Sequence, residues 1–315
     1  MDRNSMAIVV LCSHLCVGED TKPLEPAQWT VLAEKLLNEE IAPYELMSFS
    51  KEDFEAKLGL SYDEAERIIR LINRSGSITF EIERYANMGI NIMTRADSIY
   101  PKVLKKKLGK SCPPLFYYAG NPELASKRCV GFVGSRSIGI NDETFTTSTV
   151  KKINAKGFSV VSGGAKGVDS IASDVSISNG SQSMEYVSDS LISRIKTKAV
   201  VSAIIDNRLL IMSAVKPDAR FTAGFAMMRN RYIYAQSEGT VVIKSDYNKG
   251  GTWNGAVTNL KQRLCSTFCW DNAEYEGNVE LIKRGAIPIG ESWGGDVTEN
   301  NVEQMAMPEQ LSFFG

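Results

Sequence analysis

The sequence predicts an α/β protein: a doubly wound, mostly parallel sheet preceded by a small helical N-terminal domain. Three observations carry that expectation. From about residue 86 onward, short β-branched runs alternate with helix-length segments. Glycine-rich turns stand at the ends of several of those runs, where a strand hands over to a helix. Residues 1–85 instead carry apolar side chains at helical spacing, interrupted by small-residue turns.

The N-terminal stretch reads as a set of short helices. Pro26 to Asn38 places Trp29, Leu32, Leu36 and Leu37 on a helical repeat, and Pro43–Leu46, Ser50–Leu58 and Ser61–Asn73 follow. Ser50 precedes Asp53 by three residues and Ser61 precedes Glu64 by three, which is capping-box chemistry. This pattern fits a helical module of the sterile-alpha-motif or helix-hairpin-helix kind. A helical packing domain with no ligand is the better reading, because Leu58-Gly59-Leu60 alone is not a DNA-binding hairpin. Met88–Thr94 and Leu115–Asn121 read as strands, separated by the Asp97–Pro101 turn and a lysine-bearing segment, Val103–Leu108.

The body of the chain is organised around Arg128 to Asp169. Cys129-Val130-Gly131-Phe132-Val133 reads as a buried strand running into Gly134-Ser135-Arg136. Phe158 to Val161 reads as a second strand, running into Ser162-Gly163-Gly164-Ala165-Lys166-Gly167-Val168-Asp169. Between them Asn141–Lys156 fits a crossover helix, with Asn141 as N-cap, Val150 and Ile153 on one face and Gly157 as the stop. Strand, helix and strand at this spacing make a βαβ unit. Glycine lets the main chain approach a ligand, and free amides at a helix start favour anions. Ser135 and Ser162 add hydroxyls, and Arg136 and Lys166 add positive charge. Two such turns on neighbouring strands form one phosphate-binding rim; the competing reading is a pair of tight turns.

Downstream the rhythm continues. A helix follows Asp169, Ser183–Val187 is a weak strand, Lys198–Ile205 a helix and Arg208–Met212 a strand. Phe225–Gln236 is a helix with Arg229-Asn230-Arg231 at or near its start. Thr240–Ile243 is a buried strand, and Asn248-Lys249-Gly250-Gly251-Thr252 is a third glycine turn opening a helix through Trp253, Val257, Leu260 and Leu264. Cys265–Trp270, Gly277–Arg284 and Ala286–Ile289 complete the alternation.

Bulk properties narrow the function. A chain of 315 residues that is 43% hydrophobic and 23% charged is ordinary for a globular protein. Its net charge of −1 means that any nucleic-acid surface must be a local patch. No apolar run reaches the roughly 18 residues of a spanning helix, and Met6–Cys12 is too short for a signal peptide and is soon followed by Glu19 and Asp20. The six cysteines sit in apolar or mixed contexts and are expected reduced, in the cytoplasm. Cys12, His14 and Cys16 with Cys265 and Cys269 do not have zinc-site spacing, so neither a metal nor another cofactor is expected. His14 is the only histidine and lies far from the glycine turns. A Ser-His-Asp or Cys-His hydrolase is therefore disfavoured, and His14 is expected to cap a helix or lie on the surface.

The ordered set of motifs carries a resemblance. Asp97–Pro101, Pro113–Asn121, Val133–Arg136, Ser162–Asp169, Ser213–Pro217, Arg229–Arg231 and Lys249–Thr252 fall in the order of the DNA-processing protein A family, also called Smf, over roughly residues 90–270. The resemblance implies an extended Rossmann-like domain over residues 86–293, after a helical module at 1–85, that binds single-stranded DNA without catalysis. It also implies a homodimer that brings RecA recombinase onto single strands in recombination and DNA uptake. By motif, the binding residues are Gly134, Ser135 and Arg136; Ser162, Gly163, Gly164, Lys166, Gly167 and Asp169; Arg229, Asn230 and Arg231; and Lys249, Gly250, Gly251 and Thr252. Arg136, Lys166, Arg229, Arg231 and Lys249 would converge on one edge, with Tyr232, Tyr234 or Trp253 available to stack on bases, although core packing is the better reading for Trp253.

This sequence departs from the family pattern in three places. Ala172-Ser173 stands where a histidine is usual, Phe225-Ala226-Met227-Met228 replaces Phe-Pro before Arg-Asn-Arg, and Lys244 stands near the usual acid after the Val-Val strand. A polar segment, Gly294–Gln304, reads as the start of a disordered tail over 294–315. Its end, Gln310-Leu311-Ser312-Phe313-Phe314, resembles the peptide by which bacterial DNA-metabolism proteins dock on the replicase sliding clamp; a tail packing on its own domain is the alternative. A different functional class stays open: a nucleotide sensor or a nucleotide-ribose hydrolase of the lysine-decarboxylase-like (LOG) type. Glu238-Gly239-Thr240 and Gly250-Gly251-Thr252 match that pattern only in part, and no glutamate follows Thr252. A ligand-free interaction module is a third reading.

Overall fold

The structure is a computed structural model that describes residues 1–18 and 21–297. Its strands are β1 (Asn91–Thr94), β2 (Leu115–Gly120), β3 (Cys129–Val133), β4 (Ser159–Ser162), β5 (Ser183–Tyr186), β6 (Leu209–Ser213), β7 (Gly239–Val242), β8 (Ser266–Trp270) and β9 (Ile287–Ile289). The helices before β3 are α1 (Arg3–Cys12), α2 (Pro26–Asn38), α3 (Lys51–Leu58), α4 (Tyr62–Ile72), α5 (Ser75–Ala86) and α6 (Lys102–Leu108). Those after it are α7 (Ile140–Ala155), α8 (Val168–Ser178), α9 (Leu191–Arg194), α10 (Lys198–Ile205), α11 (Ala223–Gln236), α12 (Gly250–Gln262) and α13 (Glu276–Lys283). The chain divides into two compact units, Met1–Ser126 with Val187–Arg229, and Lys127–Tyr186 with Asn230–Gly315.

The first unit is built on α1. Its residues Ala7 to Leu11 are at most 2% exposed, so the apolar run too short for a membrane or a signal is a core helix. One side chain binds the last turn of α1 to the segment after it: the Arg74 guanidinium donates to Val10 O (2.5 Å), Ser13 O (3.0 Å) and Leu15 O (2.7 Å). The expected capping boxes form at both sites. Ser50 Oγ accepts from the Asp53 amide and Ser61 Oγ from the Glu64 amide, while each acid accepts the serine's own N–H. On α2, Trp29, Leu32 and Leu36 are buried, but Leu37 is 77% exposed and does not belong to the apolar face. His14 is exposed, as expected. Strands β1, β2 and β6 pair antiparallel, with Ile92 opposite Tyr117 and Gly120 opposite Leu210. The Asp97–Pro101 turn is held by the Asp97 carboxylate, which accepts from the Thr94 amide (2.6 Å) and from Ser5 Oγ (2.9 Å).

The second unit is a parallel sheet in the order β5-β4-β3-β7-β8-β9. Sequence order runs one way from β3 through β4 to β5 and the other way from β7 through β8 to β9. That is the doubly wound arrangement expected, with its reversal between β3 and β7. Val130, Phe132, Val150, Ile153, Val160, Val168, Val241 and Phe268 form one buried cluster. α7 starts one residue earlier than the sequence suggested. Gly139, not Asn141, is the N-cap, because Asp142 reaches back to the Gly139 amide at 2.8 Å. At the other end, where a disordered tail was expected to open, Gly295 and Val297 are buried. Val297 is fully buried, Asp296 pairs with Lys156 at 3.0 Å, and Trp293 stacks obliquely on Phe268. Among the described residues no helix is long and apolar enough to cross a membrane.

Candidate nucleic-acid interface

The three glycine turns follow β3, β4 and β7, three adjacent parallel strands, so all stand at the carboxyl edge on either side of the strand-order reversal. In open α/β sheets that crevice is where ligands bind. The first two turns touch. A methyl group on Gly134 would sit 2.4 Å from Cγ2 of Val168, and one on Gly167 would sit 2.4 Å from the Ser135 carbonyl oxygen. Gly167 also has φ +84°, a conformation that side chains resist. The Val168 amide donates to Ser135 O (3.4 Å), and the Ser135 amide donates across to Lys244 O at the end of β7 (3.0 Å). Two of the glycines expected to admit a ligand are therefore glycine so that one turn can pack on the next. The consequence is that exposed Arg136 and exposed Lys166 project from abutting loops.

Several expected ligands are internal fixtures. Asp169 is buried, and its carboxylate accepts the Gly163 amide (3.1 Å); the buried Ser162 hydroxyl donates to Asp169 O (3.2 Å). Both shape the second turn from beneath. Gly164, at φ +63°, is half-buried. Ser135 Oγ accepts the Ser137 amide (3.1 Å), which leaves its own proton to donate. Asn230 is buried, and its Nδ2 donates to Gly251 O (3.0 Å), which ties α11 to the third turn. Gly255, one helical turn further, lies against the same amide.

The Arg-Asn-Arg element is not at a helix start. α11 begins at Ala223, with Thr222 Oγ1 accepting the Phe225 amide (3.1 Å), and runs unbroken through residues 225–228. With no proline there, nothing ends or delays the helix. Residues two apart on an α-helix lie about 200° apart around its axis. Arg229, buried, and Arg231, half-buried, thus leave α11 on different sides, so the helix does not by itself direct both toward one edge. Tyr232, Tyr234 and Trp253 are 5%, 2% and 3% exposed, so none offers a face to a base. In the stretch where the family pattern has a histidine, Ser173 is buried and bonds Ser183 Oγ and Glu185 Oε1, both at 2.9 Å.

The helix starts differ in what they leave for a ligand. At α7, Asp142 is 1% exposed and already accepts from the Gly139 amide, from the Tyr275 hydroxyl (2.5 Å) and from Lys244 Nζ (3.3 Å). Burial alone would raise the Asp142 carboxyl, but Tyr275, the Gly139 amide and Lys244 outweigh it and hold it below the ordinary aspartate value. Burial and the same hydrogen bond push the Tyr275 phenol up to about 12. At α8, Asp169 occupies the first turn. The first turn of α12 carries no acidic residue, and exposed Lys249, Gly250 and Gly251 lead into it, with Thr252 half-buried behind. Positive potential is therefore least compensated at the third turn. Sequence reading missed Asp142 and Tyr275; the Gly139-x-x-Asp142 spacing was the available signal.

This architecture matches known proteins. Residues 91–298 match the model of the family described as DNA recombination-mediator protein A. The chain belongs to that family. DNA processing protein DprA of Bacillus subtilis is 24% identical over 287 residues, covering 85% of this chain and 94% of that protein. The solved structure of DNA processing protein A from Streptococcus pneumoniae gives a TM-score of 0.59 at 19% identity, covering 84% of this chain and 95% of that one. That of the Helicobacter pylori protein, reported for its single-stranded DNA binding mode, gives 0.53 at 23%, covering 65% and 92%. At those identities the two structures establish the Rossmann-like fold.

The contact between the first two turns can be tested. Gly157 and Gly167 share a positive φ, but only Gly167 is crowded. Gly157→Ala is expected to cost about 1–2 kcal/mol, the left-handed backbone term alone. Gly167→Ala is expected to cost clearly more, because backbone must also move. Chemical denaturation of both variants checks this; equal losses would mean that the turns do not abut.

Proposed function

We propose that the chain binds single-stranded DNA along the carboxyl rim of its parallel sheet and performs no chemistry on it. One observation carries the reading: two abutting glycine turns present Arg136 and Lys166 beside the strand-order reversal, and a helix start with no acid in its first turn, preceded by Lys249, follows on the neighbouring strand. Amides, hydroxyls and cations in series hold successive phosphates with little regard to sequence. Family membership and the single-stranded DNA binding reported for the Helicobacter pylori relative support the same reading. In it, Ser135, Arg136, Gly164, Lys166, Arg231, Lys249, Gly250, Gly251 and Thr252 face the strand, while Gly134, Ser162, Gly163, Gly167, Asp169, Arg229 and Asn230 support them. Oligo-dT is expected to bind with an affinity that falls steeply with salt. Arg136→Ala should weaken it and flatten the slope of log K against log salt by about 0.7. Absence of oligonucleotide binding, or binding of a free nucleotide alone, would overturn the proposal and favour a nucleotide sensor or LOG-type hydrolase.

Family membership supports a finer reading, that of a cytoplasmic homodimer that loads RecA recombinase onto single strands. The lag of RecA filament growth on single-stranded DNA should then shorten when the protein is added; an unchanged lag argues against loading. Gln310, Leu311, Phe313 and Phe314 lie outside the described residues, and their sequence supports docking on the replicase sliding clamp. A peptide spanning residues 306–315 is expected to bind purified clamp and to lose binding on Leu311→Ala; a peptide that does not bind ends the idea.

A further inference from the structure

Phosphate contacts alone do not tell a single strand from a duplex, because both display phosphates. What a single strand adds is the open face of each base, and proteins use aromatic rings to take it. The aromatics that sequence reading offered for this, Tyr232, Tyr234 and Trp253, are buried. Tyr247 is not: it is 40% exposed, and it sits in the loop that joins β7 to the third glycine turn, two residues before Lys249.

That loop is clamped at both ends. At its root the Ser245 amide donates to Asn278 Oδ1 (2.9 Å), and Asn278 Nδ2 donates to Ile243 O (2.9 Å). Gly277 comes so close that a methyl group there would lie 2.1 Å from the Ser245 carbonyl oxygen. In its middle the Lys249 amide donates to Asp246 O (3.3 Å), and at its far end Asn230 holds Gly251 O. The Tyr247 ring itself meets Trp253 edge to face, with centroids 5.1 Å apart and planes at 83°. Trp253 is buried and is backed by the Arg284 guanidinium, 5.0 Å from its ring. An exposed aromatic is thus mounted on a buried one, on a loop with little freedom left to lose on binding.

We propose that Tyr247 is a base-stacking platform: it takes the face of an unpaired base while Lys249 and the open start of α12 take the adjoining phosphate. The inference rests on the single-stranded DNA reading of the rim and adds to it the group that selects unpaired bases. Stacking is indifferent to base identity, so Tyr247 confers preference for single strands without a preference for sequence.

The test compares oligo-dT with an abasic oligonucleotide of the same length, by fluorescence anisotropy over a range of salt. Tyr247→Ala is expected to weaken oligo-dT binding by about 5- to 150-fold, leave the salt slope unchanged and leave the abasic affinity as in wild type. Tyr247→Phe should bind like wild type. Tyr247→Leu, which keeps apolar cover over Trp253 without a π face, should bind oligo-dT like Tyr247→Ala; this separates stacking from loss of fold. Unchanged oligo-dT affinity in Tyr247→Ala and Tyr247→Leu, or an equal loss on the abasic strand, overturns the inference while Arg136→Ala still upholds the rim. If wild type binds neither oligonucleotide, or Arg136→Ala changes nothing, the rim reading itself fails and the platform with it.

Discussion

The second unit depends on a close approach between two turns. Gly134 and Gly167 have no side chain because each would drive a carbon into the other turn, at 2.4 Å in both cases. Once the turns abut, the rest is constrained. Ser135 must hand its amide to the end of β7, Val168 must open α8 against Ser135, and the cations next in sequence must emerge from adjoining loops. Dispersion and a few weak hydrogen bonds set the spacing of charges that have no attraction for each other. The cost of holding Arg136 near Lys166 is met by backbone packing beneath them, because Gly167 lies against the backbone of Ser135 and Arg136.

The same logic explains which glycine-turn residues face outward. Ser162, Asp169 and Asn230 are buried, and each satisfies a backbone group of its own or a neighbouring turn. A buried polar atom left unpaired costs more than most surface contacts return. Such residues keep the loops in shape and leave Arg136, Lys166 and Lys249 exposed around them. At α7 this goes further: Asp142, Tyr275 and Lys244 saturate one another at the helix start, whereas the first turn of α12 carries no acidic residue.

Much of this was legible in the sequence. The runs around Val130, Val160 and Val241 are β-branched, glycine-flanked and short, and period and punctuation together leave few alternatives. The capping boxes at Ser50 and Ser61 are local chemistry and formed as read. What failed was non-local or depended on rotation about an axis. Leu37 follows Leu36 in sequence but points to solvent, and Arg229 and Arg231 flank one residue yet leave opposite sides of a helix. Asp142 meets Tyr275 across more than a hundred residues, which no spacing rule reaches. Residues 294–297 look polar and loose, but Val297 supplies the one apolar side chain needed to lock them. Family membership accounts for the order of motifs, while α11 runs on without a break where Phe-Pro was expected, and Lys244 pairs with Asp142 where an acid was expected.

Both compact units are interrupted in sequence: the first is 1–126 resumed at 187, the second 127–186 resumed at 230. A ribosome therefore releases β2 long before the strand that Gly120 pairs with at Leu210 exists. Throughout that interval β2 exposes an apolar edge with unsatisfied amides, the kind of surface that recruits other nascent chains. High contact order makes each unit slow to close. Protein truncated after residue 126 would carry the helical module but lack β6, leaving one edge of β2 without its partner strand.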